Sequence, residues 1–126
     1  MQWLFRYPVN MYAIRGAIQI DENSAVAIKR GTGELLTALL QANSISVADI
    51  ISVLFTATVD LNAAFPAAGA REIGFGATPL ICATEINVPD SLPRTIRTLV
   101  HVHGRSEDVR HVYLGGAAVL RQDLAQ

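Results

Sequence analysis

The chain has 126 residues, 51% of them hydrophobic, and a formal charge of −1. This length fits one domain with a buried core and is too short for two. The near-neutral charge argues against nucleic-acid and anionic-membrane partners, which require clustered basic surface, and charged residues interrupt every apolar run before the roughly 18 residues of a membrane-spanning helix.

The N-terminus and the single cysteine indicate a cytoplasmic protein. Residues 1–10 contain no small-residue cleavage pattern and do not fit a secretory signal, so we expect an N-terminal extension followed by one domain over residues 11–126. The lone Cys82 excludes an internal disulfide and fits a reducing compartment. The apolar surplus on so short a chain also favours a homo-oligomer.

The first third of the sequence predicts a strand followed by a helix. Residues 12–20 are rich in Ile and Ala, and alternation puts Arg15 on the face opposite its two neighbours. Apolar residues then recur at helical spacing over residues 24–42. Gly31 and Gly33 each cost about 1 kcal/mol relative to Ala in that helix, which favours a kink or a shorter helix.

The middle of the sequence predicts a buried strand and a second helix. Ser46 is suited to cap a short helical turn, and residues 50–58 form a continuous β-branched and aromatic run typical of a buried strand. In the segment 60–74, Pro66 suits the first turn of a helix that ends near Ile73.

The last third predicts three more strands, over residues 77–86, 94–102 and 110–114, and an apolar C-terminal piece after Gly115. Alternation in the 94–102 strand places Arg97 on the face opposite the β-branched residues. We therefore predict an α+β fold: a ferredoxin-like mixed sheet of about five strands with the helices on one face.

Cofactor and covalent chemistries find little support in the sequence. Cys82 is far in sequence from the histidines and has no partner thiol for a zinc site. His101 and His103 share one face of a strand, a possible metal geometry, although structural or solvated histidines explain them better. The glycine pairs do not open a helix after a strand, as a phosphate loop must, and no nucleophile elbow occurs. We expect neither a metal nor a cofactor.

Four isolated polar residues in apolar strands are the candidate functional groups: Arg15, Cys82, Glu85 and Arg97. A charge inside such a strand must face solvent or be paired, because burying it alone is prohibitively costly. Each residue by itself is consistent with a solvated face. Two arginines on different strands can, however, grip carboxylates bidentately, which indicates a site for a small dianion.

Several sequence strings resemble the AroH-class chorismate mutases. They run in order over residues 11–124, so the likeness covers nearly the whole chain. The most specific are TATVDLNAAFPA and RHVYL followed by VLR. The strings are Arg15-Gly16-Ala17, Phe65-Pro66-Ala67 with Arg71-Glu72, Cys82-x-x-Glu85, Arg110 to Leu114, and Val119-Leu120-Arg121.

The resemblance implies a cofactor-free enzyme that rearranges chorismate to prephenate. In that family, the residue at Arg97 donates to the ether oxygen of the breaking bond and to a substrate carboxylate. The residues at Arg15 and Tyr113 help to hold the carboxylates. Those at Cys82 and Glu85 flank the ring hydroxyl and the enolpyruvyl side.

The resemblance also implies a pseudo-barrel homotrimer with active sites in clefts between subunits. Phe65 and Arg71 then close the cleft from the adjacent subunit, and Leu120 and Arg121 belong to a C-terminal part that covers it. Ala68 departs from the family, since relatives often carry Lys there.

Two other interpretations remain open from the sequence. The same arginines would serve a binding or regulatory module that senses an anionic metabolite without turnover. A trimeric enamine or imine deaminase shares the general architecture and a carboxylate-binding Arg.

Overall fold

The computed structural model describes residues 10–120, and Arg121 and nearly all of the proposed extension lie outside them. It contains a short 3₁₀ turn at Val47–Asp49 and a 3₁₀ segment at Gly115–Leu120. The regular elements in chain order are β1 (Met11–Gln19), α1 (Ala25–Ala42), β2 (Ile50–Ala57), α2 (Pro66–Glu72), β3 (Leu80–Thr84), β4 (Thr95–His103) and β5 (Val112–Leu114).

The strands form one mixed sheet in the order β3-β2-β4-β1-β5. β4 pairs antiparallel with β1 and β2, whereas β2–β3 and β1–β5 are parallel pairs. The predicted five-stranded mixed α+β fold is confirmed. The ferredoxin-like label is wrong in detail, because that motif runs βαββαβ and this chain runs βαβαβββ. Here α2 makes a crossover between two parallel neighbours, β2 and β3, where the ferredoxin-like order has a direct connection.

Both helices pack on one face of the sheet, and the core lies between the helices and that face. The β4 residues that alternate with Arg97 are buried there, as the sequence predicts. The opposite face, which we call the open face, faces away from the helices. It carries Arg15 and Ala17 of β1, Leu54 and Thr56 of β2, Ile81 and Ala83 of β3, and Arg97, Leu99, His101 and His103 of β4.

Helix α1 is continuous from Ala25 to Ala42, so the kink or shortening expected from its glycines is not found. Ser24 caps the helix by accepting a hydrogen bond from the backbone N–H of Ala27 at 3.0 Å. Gly31 is needed for packing, because a Cβ there would lie 2.5 Å from Ile20 Cγ2. Close packing against the end of β1 thus explains one of the two glycines.

Two strands, β3 and β5, begin later than the sequence predicts, because the residues just before them make hydrogen bonds outside the sheet. Before β3, the N–H of Thr78 bonds back to Phe75 O at 3.2 Å in a turn. Before β5, Arg110 is bonded through both backbone groups to the side chain of Asn43 at the end of α1, each at 2.9 Å. Among residues 10–120, no helix is long and apolar enough to cross a membrane.

Candidate active site

An arginine-lined cavity of about 180 Å³ opens on three adjacent strands. The register explains it: Ala17 of β1 pairs with Arg97 of β4 on one side and with Tyr113 of β5 on the other. Paired residues share a face of the sheet, so all three lie on the open face. Arg15, two residues before Ala17, lines the same cavity, and Leu120 of the 3₁₀ segment completes its wall.

Arg97, which lines this cavity, forms an ion pair with Glu85 of the loop after β3. Arg97 Nε lies 2.7 Å from Glu85 Oε1, and the side chains are 46% and 24% exposed. Glu85 is fixed in turn, because its N–H donates to Ala57 O at 2.9 Å at the end of β2. A guanidinium has five N–H donors, so a contact through Nε leaves donors for an anionic ligand.

The backbone of Arg15 is held by His111, which is not among the predicted site residues. The N–H of Arg15 donates to Nδ1 of His111 at 2.9 Å, across 96 residues of sequence. An imidazole accepts at Nδ1 only when that nitrogen is unprotonated. Partial burial, and then the positive charge of Arg15, lower the pKa of His111 and favour this neutral form. His111 could have been identified as a site residue from its place in the RHVYL string.

A second, larger cavity of about 670 Å³ lies between the end of β2, β3 and the segment before α2. Phe65 and Cys82 line it. Phe65 is 71% exposed, which is unusual for a large aromatic side chain. Cys82 pairs with Phe55, a fully buried residue, and itself packs against the core on the helix side. Its thiol is free.

The candidate residues therefore fall into two groups within one chain. Arg97 lies on the open face, and Cys82 faces the helices, because Thr56 pairs with Arg97 whereas Phe55 pairs with Cys82. The first group is Arg15, Glu85, Arg97, Tyr113 and Leu120, and the second is Phe65 and Cys82. Arg71 is exposed on the last turn of α2, and the described linings of both cavities lack it.

The described residues contain no group of three or more His, Cys, Asp and Glu side chains arranged to hold a metal ion. His101 instead contacts a hydroxyl on the neighbouring strand, with Nδ1 3.3 Å from Ser52 Oγ.

The fold and the first cavity define a small mixed α+β protein with an arginine-lined cleft beside its central strands. The chain belongs to the chorismate mutase type I family, whose model matches residues 11–124. The resemblance that the motif strings predicted is thereby confirmed.

Characterised relatives agree with this assignment. Chorismate mutase AroH of Thermus thermophilus is 48% identical over 114 residues, covering 88% of this chain and 93% of the relative. The Bacillus subtilis chorismate mutase AroH is 35% identical over 115 residues, covering 89% and 91%. The solved structure of a chorismate mutase from Clostridium thermocellum has a TM-score of 0.83 and 44% identity, and the match covers 86% of this chain and 98% of that one.

Proposed function

We propose that this protein converts chorismate to prephenate by an intramolecular Claisen rearrangement. The observation that carries the proposal is the arrangement of Arg15 and Arg97 on the walls of one cavity, in a chain of the chorismate mutase type I family. Chorismate is a dicarboxylate, and arginine forks suit carboxylates. Spectrophotometric loss of chorismate with formation of prephenate tests the proposal. A binding module and an imine deaminase would both leave chorismate unconsumed.

The rearrangement is unimolecular, so the enzyme needs no nucleophile or general base. It must hold the substrate in its compact reactive conformer and stabilise the negative charge that develops on the ether oxygen as the C–O bond lengthens. In our proposal Arg97 donates to that oxygen and to a carboxylate, and Glu85 fixes its guanidinium. Arg15 and Tyr113 hold the carboxylates, and Leu120 with Arg121 covers the cleft.

We propose further that each site is shared between subunits of a homotrimer. A cavity of about 180 Å³ is smaller than the ~300 to 1,000 Å³ of typical small-molecule sites, so the arginine-lined half needs a partner surface. The group on the other side of the sheet supplies one: Phe65 and Cys82, together with Arg71, would come from the neighbouring subunit. In this arrangement Cys82 acts across the interface from Arg97.

The open face supports self-association. Leu54 and Ile81 there are 36% and 64% exposed, which is a large apolar exposure for one side of a sheet. Light scattering should give three times the chain mass of 13.6 kDa. Leu54→Asp should lower that mass. Val26→Asp, on an exposed α1 position, is the matched control and should leave it unchanged.

Complementation tests the shared site directly. Arg97→Ala and Arg71→Ala should each be inactive alone. Mixed trimers would contain some interfaces with both wild-type halves and regain activity. An active monomer, or mixtures no more active than their components, would contradict the shared site.

We further propose that residues 1–10 are an extension outside the catalytic domain of residues 11–126. The enzyme acts in the cytoplasm, which agrees with its free Cys82 thiol.

A further inference from the structure

Asp60, in the turn after β2, fastens that turn to the start of β4. Its carboxylate accepts two hydrogen bonds from the backbone N–H of Arg94, with N–O distances of 3.2 Å to Oδ1 and 2.9 Å to Oδ2. It also accepts one from the Thr58 hydroxyl. The Thr58 oxygen in turn accepts the N–H of Thr95 at 3.0 Å. Asp60 thus joins two segments 34 residues apart in sequence.

The residue that Asp60 holds has an unfavourable backbone conformation. Arg94 has φ of 47°, in the left-handed region that non-glycine residues rarely adopt. Such a conformation persists where neighbouring groups hold it. Here the Asp60 carboxylate binds the Arg94 N–H, and Ile20 accepts from Arg94 Nε at 3.0 Å while donating its own N–H to Arg94 O at 2.9 Å.

The electrostatics of Asp60 agree with a well-formed carboxylate site. Partial burial by itself raises the pKa of Asp60. The hydrogen bonds from the Thr58 hydroxyl and the Arg94 backbone outweigh that effect and hold the pKa below its usual value. Asp60 is therefore an anion at neutral pH, and its hydrogen bonds to backbone N–H groups are charge-assisted.

In the sequence, the strained turn at Arg94 lies between Glu85 and Arg97, the two members of the ion pair. Glu85 begins the loop of residues 85–94, Arg94 ends it, and Arg97 follows three residues later on β4. Asp60 and Glu85 line the same small cavity of about 160 Å³ beneath this loop. A change in the turn at Arg94 would alter both the path of the loop and the entry of the chain into β4.

We infer that Asp60 is a positioning residue for the proposed rearrangement, because it fixes the left-handed turn at Arg94 and so sets where Glu85 and Arg97 meet. Asp60 touches neither of those side chains and acts through the backbone. The inference rests on the proposed chorismate mutase activity. It predicts that losing Asp60 lowers the rate of the chemical step more than it weakens substrate binding.

The experiment measures kcat, KM and the melting temperature of full-length wild type, Asp60→Ala and Asp60→Asn. We expect kcat of Asp60→Ala to fall about 10-fold to 100-fold, with a smaller change in KM, since small displacements of catalytic groups have effects of that size. Asp60→Asn keeps one acceptor oxygen, so its kcat should lie between those of wild type and Asp60→Ala. It also provides a reading if the Ala variant does not fold.

Asp49→Ala is the matched control. Asp49 is also a surface carboxylate that accepts a backbone N–H, from Ser46 at 2.9 Å, but it lies in the 3₁₀ turn before β2. Asp49→Ala should have a lower melting temperature than wild type and an unchanged kcat.

Rescue distinguishes positioning from simple stability. Glycine adopts the left-handed conformation without steric penalty, so adding Arg94→Gly to Asp60→Ala should restore most of the kcat of the Arg94→Gly single variant. The inference is overturned if Asp60→Ala keeps wild-type kcat, or if the double variant stays far below the kcat of the Arg94→Gly single variant. A wild-type enzyme that leaves chorismate unchanged overturns the proposed function itself, and this inference with it.

Discussion

Arg97 Nε on the open face lies 2.7 Å from Glu85 Oε1 in the loop that follows β3. The carboxylate holds the Nε edge of the guanidinium and leaves the rest of the fork to an anionic ligand. A fixed cation with a free fork suits a reaction in which charge develops at an oxygen next to a carboxylate.

Replacing Arg97 should abolish most turnover. In the proposed mechanism the Arg97 guanidinium stabilises charge that appears only in the transition state, so we expect Arg97→Ala to lower kcat about 10² to 10³-fold, with a modest rise in KM. Arg97→Lys keeps the charge without the fork and should lose nearly as much. Steady-state kinetics with chorismate test this. Arg110→Ala, which removes an exposed arginine paired with Asp108, is the control and should retain wild-type kcat. A rise in KM with kcat preserved would instead mean that Arg97 supplies uniform binding.

Cys82→Ser should change kcat only a few-fold. The proposed reaction has no covalent step, and a hydroxyl replaces the thiol as a weak donor. Complete inactivation of a folded Cys82→Ser variant would favour a nucleophilic mechanism and another activity. Because Cys82 packs against the core, circular dichroism of the variant must first show an intact fold.

The two glycines of α1 should respond in opposite directions to alanine. Gly33→Ala meets only Ile73 Cγ2 at 3.6 Å, an ordinary contact, and should raise the free energy of unfolding by up to about 1 kcal/mol through helix propensity. Gly31→Ala would push against Ile20 at 2.5 Å and should lower it by about 1 to 3 kcal/mol. Urea denaturation of both variants decides the matter. Equal effects would contradict the packing explanation of Gly31.

Stability should fall in mild acid through His111. Its folded-state pKa is below the unfolded value of about 6.5, so the unfolded state binds the extra proton first. The contribution of neutral His111 is then fully present above about pH 6.5 and is lost as pH falls through its folded pKa. Melting curves from pH 8 downward should show this loss, and His111→Asn should remove it.

Asp60 contributes with the same sign in a lower window. Its lowered pKa stabilises the fold above the ordinary value of 3.8, and that stability is lost as pH falls through the folded pKa. Asp60→Asn should flatten the curve only there.

Turnover should stay level between about pH 6.5 and 8, because no proton is transferred in the reaction. A steep bell-shaped profile in that window would argue for an essential acid or base.

The sequence predicted the strands and the face of Arg97 because alternation is a local property. Helix α1 follows from local signals in the same way. The grouping of site residues does not, because it depends on register between strands distant in sequence. Cys82 and Arg97 look alike as polar residues in apolar strands, and only their pairing with Phe55 and Thr56 separates them.

Asp60 and His111 were missed for a related reason. The local sequence indicates only a helix cap at Asp60, and it places Arg94, the partner of Asp60, at the start of a strand. The left-handed turn and the hydrogen bonds across 34 and 96 residues arise only when the sheet assembles. The role of Gly31 is likewise set by a contact outside its helix, with Ile20 just after β1.

The parallel pairing of β5 with β1 bears on how the protein matures. The cavity wall made by Tyr113 and Leu120, and the nitrogen that binds the Arg15 backbone, are synthesised about a hundred residues after β1. Until β5 has been synthesised, one edge of β1 therefore has no partner strand. A chain that ends before residue 111 would lack this cavity wall and would expose that edge of β1, a surface prone to non-native strand pairing.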